Sequence, residues 1–243
     1  MRTFLDAVDS LPAFRWYKRE LRKLLKLQPG ETLLDVGCGT GIEACRLARE
    51  YPSVHVLGLD RDAMLSEAAQ RSAQLGVDVR WLPGDAEAVP LPDGSVDACM
   101  TERVLKYVAN PKRAVSEMVR VLRDGGRIVC FELDVAATVY GGDPRLTSMV
   151  SELICSKLGE PRMGRRLPEL FARAGLEGVA YQPVAFHIPA DLNDALVYQP
   201  VRLAIADGAL PERVNTWLDE QASAAERDLF TIAWIGWLVS AHA

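Results

Sequence analysis

Three glycines at alternate positions follow an apolar run in Leu33-Leu34-Asp35-Val36-Gly37-Cys38-Gly39-Thr40-Gly41. A turn of this composition, between a strand and a helix opening near Ile42, lets main-chain N–H groups approach a ligand without interference from Cβ atoms. The dinucleotide fingerprint G-x-G-x-x-G would need a glycine at position 42, where this chain has Ile42. A second apolar run ends at Asp60, a carboxylate able to accept from both hydroxyls of a ribose. A third leads into Gly84-Asp85-Ala86-Glu87, where Asp85 can accept from an adenine amino group and the next backbone N–H can serve a ring nitrogen. Together these residues point to capture of an adenosine.

The elements that must position them follow from patterning. Strands are expected at Thr32–Val36, Val54–Leu59, Val77–Leu82, Val96–Thr101 and Arg127–Leu133, near-continuous apolar runs of the kind buried on both faces of a parallel sheet. Helical faces lie between them, at Met64, Leu65, Ala68, Ala69, Ser72 and Leu75, and at Ala114, Val115, Met118, Val119 and Leu122. Asp62 is placed to cap the first helix and Gly125–Gly126 to stop the second. Phe14, Tyr17, Leu21, Leu24 and Leu25 mark an N-terminal helix that ends at Pro29–Gly30. After Asp134, helices are expected near 145–158, 166–174, 191–206 and 212–226, with late strands at Gly178–Ile188 and Leu229–Ala241. The expected fold is α/β: a seven-stranded, mostly parallel, doubly wound sheet of Rossmann type, with a helical cap inserted between its last two strands. Residues 1–243 read as one domain, with a ligand-binding core at about 15–135 and cap elements at about 135–228.

Composition narrows the classes of partner. Lys and Arg total 28 against 33 Asp and Glu, so the chain carries a formal charge of −5 without a basic run, which argues against a nucleic-acid backbone as ligand. The stretch Ile232–Val239 is too short to span a membrane, and Asp6 and Asp9 interrupt any apolar leader, so a cytoplasmic chain is expected. Five scattered cysteines without C-x-x-C spacing and three separated histidines predict neither a disulfide framework nor a metal site.

Five blocks in order, LLDVGCGTG (33–41), LGLDRDAML (57–65), GDAEAVPLPDGSVDAC (84–99), TERVLKYVANP (101–111) and EMVRVLRDGGRIV (117–129), resemble the class I S-adenosylmethionine-dependent methyltransferases. Within that class the chain is most similar to the small-molecule branch typified by the ubiquinone and menaquinone methyltransferases, over roughly residues 15–135. The resemblance implies S-adenosylmethionine as cofactor and S-adenosylhomocysteine as product. Gly37, Gly39 and Gly41 would then line the methionine and ribose portion, and Asp60 would hold the ribose diol. Arg61 and Met64 would pack along adenine, Asp85 and Ala86 would read its edge, and Thr101 would face the amino-acid end. Asp35 would organise the glycine loop, and either Arg15 or Lys18 would reach the cofactor carboxylate.

Methyl transfer from a sulfonium is an in-line displacement that depends on alignment, and a base is needed only where the nucleophile must lose a proton. Relatives often carry V-L-H-H or V-L-Q-H after the fourth strand. Here the segment is Val104-Leu105-Lys106-Tyr107, so Tyr107 stands where the second histidine would be, to hydrogen-bond an acceptor or to pack. Glu132, Asp134 and His187 are the other candidate catalytic groups. Tyr140, Met149, Met163, Phe186, Tyr198, Trp217, Trp234 and Trp237 offer large apolar area after Asp134, which favours a small, fairly hydrophobic acceptor. A homodimer is compatible with this pattern, as is a protein of the same fold that binds the cofactor but acts as a cyclase or a non-methylating binding module. The segment 191–226, interrupted by Pro200, Gly208 and Pro211, is expected to form either a mobile helical lid over the site or a rigid cap packed on the core.

Overall fold

A computed structural model describes residue 9 and residues 11–187 and 190–243; the side chains of residues 13, 62, 190 and 191 lie outside that description. The first helix, α1 (Pro12–Leu25), begins with proline at its first turn and ends where Lys26 turns left-handed at φ 46°. Its apolar residues at helical spacing, Phe14, Tyr17, Leu21 and Leu25, are all buried. The chain then alternates β1 (Thr32–Val36), α2 (Ile42–Glu50), β2 (His55–Asp60), α3 (Asp62–Leu75), β3 (Arg80–Pro83), β4 (Val96–Glu102), α4 (Pro111–Val121) and β5 (Leu122–Leu133). These five strands pair in parallel in the order β3-β2-β1-β4-β5.

The second half supplies β6 (Val139–Tyr140), α5 (Pro144–Ser156), α6 (Met163–Arg173), β7 (Glu177–His187), α7 (Ala190–Asn193), a π-helical turn (Asp194–Tyr198), α8 (Gln199–Ala206), α9 (Val214–Glu226) and β8 (Ile232–His242). Strand β8 lies antiparallel to β5 and carries both β6 and β7 beside it. The sheet thus has eight strands; the two-residue β6, which pairs with Ile232 and Ala233, is too short to leave an alternating pattern in the sequence.

Successive residues of a strand face opposite sides, so the sheet separates two cores. Leu33, Val129 and Phe131 join α1 and the cap on one side. Leu34, Val36 and Cys130 join α4 and α6 on the other. Tyr17 stacks on Phe131 with ring centroids 3.7 Å apart, which seats α1 against the middle of the sheet.

Three local expectations are corrected. Gly125 and Gly126 do not stop α4; Leu122 turns extended and starts β5, and the glycines lie inside that strand, where Gly125 adopts φ 71° and pairs with the chain end at Ala243. Asp62 is the first residue of α3 rather than its cap, a position taken by Arg61, and its side chain lies outside the described residues. Strand β3 starts at Arg80, three residues later than the apolar run Val77–Leu82 implied.

The cap is seated by Trp217, fully buried, whose indole N–H donates to the Gly141 carbonyl at 2.8 Å; the Gln221 amide donates to the same oxygen at 2.9 Å. Within the cap, Val214 and Trp217 are buried, whereas Leu203 is 60% exposed. No helix among the described residues is long and apolar enough to cross a membrane.

Candidate functional site

The parallel register sets Val36 beside both Leu59 and Thr101, so the C-terminal ends of β1, β2 and β4 meet at one edge, where open α/β sheets bind ligands. Gly37, Gly39 and Gly41 all have positive φ, at 74°, 54° and 74°. Their reasons differ. A Cβ on Gly37 would lie 2.3 Å from the Val104 side chain, and one on Gly41 would lie 2.6 Å from the Trp81 ring. A Cβ on Gly39 would meet nothing within 4 Å, because that glycine faces open space. The Gly39 N–H donates to Asp60 Oδ2 at 2.7 Å, while Asp60 Oδ1 accepts from the Arg61 N–H at 2.7 Å.

That open space is one end of a cavity of about 840 Å³. Of the residues expected to hold a cofactor, Lys18, Asp35, Gly37, Gly39, Asp60, Arg61, Met64, Asp85 and Ala86 line it. Gly41 does not; its role is the close packing against Trp81. Thr101 does not either. Strand alternation turns Met100 and Glu102 to the cavity and sends Thr101 to the opposite face, where it is fully buried and its hydroxyl has no partner among the described residues. Arg15 is exposed and outside the cavity, so of the two candidate cations on α1 only Lys18 lies there.

Lys18 is held by three carboxylates, with Asp9 at 2.8 Å, Glu102 at 3.1 Å and Glu43 at 3.3 Å. Burial lowers its pKa, but Glu102 and Glu43 outweigh that and raise it. Burial likewise pushes Glu102 up, yet Lys18, Arg103 and the Tyr17 hydroxyl, which donates at 2.6 Å, bring it down to about 2. Asp35 is the exception. Burial first, then Glu102 and Glu43, push its carboxyl well above the ordinary range, and it has no hydrogen bond to any described residue. A cation placed here would favour the ionised form of Asp35.

Among the catalytic candidates only Tyr107 lines the cavity; its ring is 68% exposed and lies 4.6 Å from the Lys106 ammonium. Glu132, Asp134 and His187 fall outside it. Glu132 is fully buried beneath the segment after β4, where it accepts from the Leu105 N–H at 2.6 Å and from Lys106 at 3.2 Å. Asp134 is engaged by both Nε and Nη2 of Arg165, the latter at 2.9 Å. His187 lies at the end of β7 with its Nε2 3.3 Å from the Thr231 hydroxyl. Each therefore has a structural partner in place of access to a bound acceptor.

The far end of the cavity is built by Leu133, Val135, Ile154, Leu158, Leu196 and Trp234. Of the eight large side chains expected to shape an acceptor pocket, only Trp234 reaches it; the others fill the core or pack on the surface. Arg103 and Lys157, which sequence patterning did not mark, also line the cavity. Arg103 has φ 60°, a left-handed conformation that nothing in its residue type announces. All five cysteines are free, and no cluster suited to a metal ion occurs among the described residues.

The parallel sheet and the glycine turn at its edge are those of a nucleotide-type binding domain. Residues 34–130 match the family model described as a methyltransferase domain. The chain is 33% identical over 232 residues to an uncharacterised 37.1 kDa protein in transposon TN4556 of Streptomyces fradiae, covering 91% of this chain and 66% of that one. It is 36% identical over 132 residues to a demethylmenaquinone methyltransferase of Thermus thermophilus, covering 52% of this chain and 60% of the relative. Among solved structures, the cyclase SpnF superposes with a TM-score of 0.61 at 24% identity, over 95% of this chain and 80% of that one. The chain spans less than two thirds of the length of the curated relatives it matches. Over residues 34–130 the chain is similar to the methyltransferase-domain family, and its fold is that of solved S-adenosylmethionine-dependent methyltransferases.

Proposed function

We propose that this protein transfers a methyl group from S-adenosylmethionine to a small, fairly hydrophobic acceptor by in-line displacement. The observation that carries this reading is the continuous cavity, about 840 Å³, that joins the glycine turn to the apolar wall under the cap. Its size falls within the range of small-molecule sites.

The residues at its sheet end fit the cofactor. Gly39 leaves open space where a side chain would stand, Asp60 offers a carboxylate for the ribose, and Asp85 and Ala86 form the wall assigned to adenine. The carboxylates around Lys18 lie beside Asp35, whose ionised form a bound cation would favour. When bound, S-adenosylmethionine supplies a methyl group already activated on a sulfonium. The chain's own task is then alignment and exclusion of water, with Leu196 and Trp234 covering the acceptor side. Tyr107 is the one candidate able to touch an acceptor, as a hydrogen-bond partner.

Calorimetry with S-adenosylhomocysteine, followed by a mass-spectrometric search for methylated products among offered small acceptors, tests the reading. Binding with release of S-adenosylhomocysteine on turnover is expected. Binding without turnover across chemically diverse acceptors would favour a cyclase or a non-methylating module on the same fold. No binding would refute both.

A further inference from the structure

The distribution of charge along the cavity is uneven. Every carboxylate that lines it comes from residue 102 or earlier, and from Arg103 onward the lining holds three cations, Arg103, Lys106 and Lys157, with no carboxylate. Lys106 is committed, since its ammonium contacts Glu132, the Arg103 carbonyl at 2.9 Å and the Tyr107 ring. Arg103 is not. Its Nε donates to Glu102 at 3.0 Å, but neither terminal nitrogen has a hydrogen bond to any described residue, although its side chain is only 24% exposed. Its Cζ lies over the Phe14 ring, 5.2 Å from the ring centre.

The backbone also holds this side chain in place at a cost. Arg103 keeps a left-handed φ of 60° while its N–H donates to the Phe131 carbonyl at 2.8 Å. Strain of this kind persists where the surroundings over-determine it, and it clusters at ligand sites. Lys157, following α5, lines the same cavity from the cap side and has no ion pair with any described residue. A half-buried guanidinium with its fork unengaged is matched to a planar oxyanion, which it binds through two parallel hydrogen bonds.

We propose that the acceptor carries a carboxylate on its apolar skeleton, received by the Nη1/Nη2 fork of Arg103, with Lys157 adding a second positive charge at the mouth. This rests on the methyltransferase reading, which supplies the acceptor. It goes further in naming the chemical class: an organic acid, with the anion anchored near the segment after β4 and the hydrocarbon against Ile154, Leu196 and Trp234.

The test titrates cinnamate and octanoate against cinnamamide and octanamide, by calorimetry, on the protein with and without S-adenosylhomocysteine. The acids are expected to bind about tenfold or more tightly than the amides, the effect of one charge-assisted bidentate contact. Arg103→Met should erase that preference, Arg103→Lys should restore part of it because the charge returns without the fork, and Lys157→Met should reduce it by about threefold. Affinity for S-adenosylhomocysteine should stay within about twofold in all three variants, because neither side chain holds the cofactor. Equal binding of acids and amides, or no binding of either acid, overturns the proposal. Loss of S-adenosylhomocysteine affinity in Arg103→Met overturns it too, by assigning the guanidinium to the cofactor's own carboxylate. Failure of the wild-type protein to bind S-adenosylhomocysteine refutes the methyltransferase reading instead, and the titration without it still reports on Arg103.

Discussion

Asp60 accepts the Gly39 N–H at 2.7 Å, so the carboxylate assigned to the ribose also holds the one glycine of the turn that faces open space. The second oxygen accepts from Arg61. One side chain thereby shapes the loop and offers the ligand contact, and removing it should affect binding through both routes. Asp60→Ala is expected to weaken S-adenosylmethionine binding by about tenfold or more, because a charge-assisted hydrogen bond and the order of the loop disappear together. Calorimetry on the folded variant checks this, and unchanged affinity would remove Asp60 from the site.

The three glycines should separate by experiment. Gly39→Val places its side chain in the open cavity, so binding should be abolished while the fold pays only for a left-handed valine, about 1–2 kcal/mol. Gly41→Val drives a side chain into Trp81 and should cost more stability than Gly39→Val, since overpacking of about 1–3 kcal/mol is added to the same strain. Thermal unfolding of the two variants, beside ligand titration, distinguishes a ligand-facing glycine from a packing one. Equal stability of the pair would contradict the assignment.

Glu132 is expected to matter for stability and not as a base. Truncating it to alanine leaves the Lys106 ammonium and the Leu105 N–H buried without their acceptor, a loss of about 3–5 kcal/mol. His187→Ala, outside the cavity, should leave turnover unchanged. Denaturant unfolding and initial rates measure the two effects, and a pH–rate profile that lost a limb in His187→Ala would restore that histidine as a catalytic candidate.

The buried carboxylates predict opposite pH signatures. Glu102 has its folded pKa depressed from an ordinary 4.5 to about 2, so its contribution to stability is present above 4.5 and is lost as the pH falls toward 2. The stability gap between wild type and Glu102→Gln should therefore close on acidification. Asp35 is raised above its ordinary 3.8, so its ionisation opposes folding increasingly as the pH rises above that value. Asp35→Asn should be more stable than wild type at neutral pH and lose this advantage near pH 3.8, while binding a cationic ligand less well. Urea midpoints measured across pH are the readout, and parallel curves for wild type and Asp35→Asn would show that Asp35 is not perturbed.

The cap should not behave as one unit. Trp217 fastens α9 to the Gly141 carbonyl, and Trp217→Ala is expected to cost about 3–5 kcal/mol. Amides of α9 should therefore exchange equally slowly with and without S-adenosylhomocysteine. The π-helical turn, whose Leu196 lines the cavity, should gain protection when the site fills. Hydrogen exchange checks both, and a ligand-dependent change in α9 would show that the whole segment 191–226 moves as a lid.

The parallel core was legible in the sequence because its signals are local. An apolar run of strand length, a glycine triplet and a carboxylate at the next strand end each report their own surroundings, and the order of the blocks then implies the sheet. The nine cofactor candidates that line the cavity lie on α1, at the strand ends and turns around the glycine loop, or in the first turn of α3, which the β1 and β2 pairings gather at one edge. What local signals do not report is a role that depends on which face a residue occupies or which distant partner it meets. Thr101 is one residue from Glu102, yet alternation puts them on opposite sides of the sheet. Glu132 and Asp134 look like free carboxylates at a strand end until Lys106 and Arg165 arrive from elsewhere in the chain. Arg103 went unmarked because a left-handed backbone and an unengaged guanidinium are decided only when Phe131, Glu102 and Phe14 close around it. The sequence alone determined the glycine turn, its adenosine chemistry and the sheet beneath. Tertiary packing decided which charges are neutralised and which still face the cavity, since that depends on neighbours far apart in the chain.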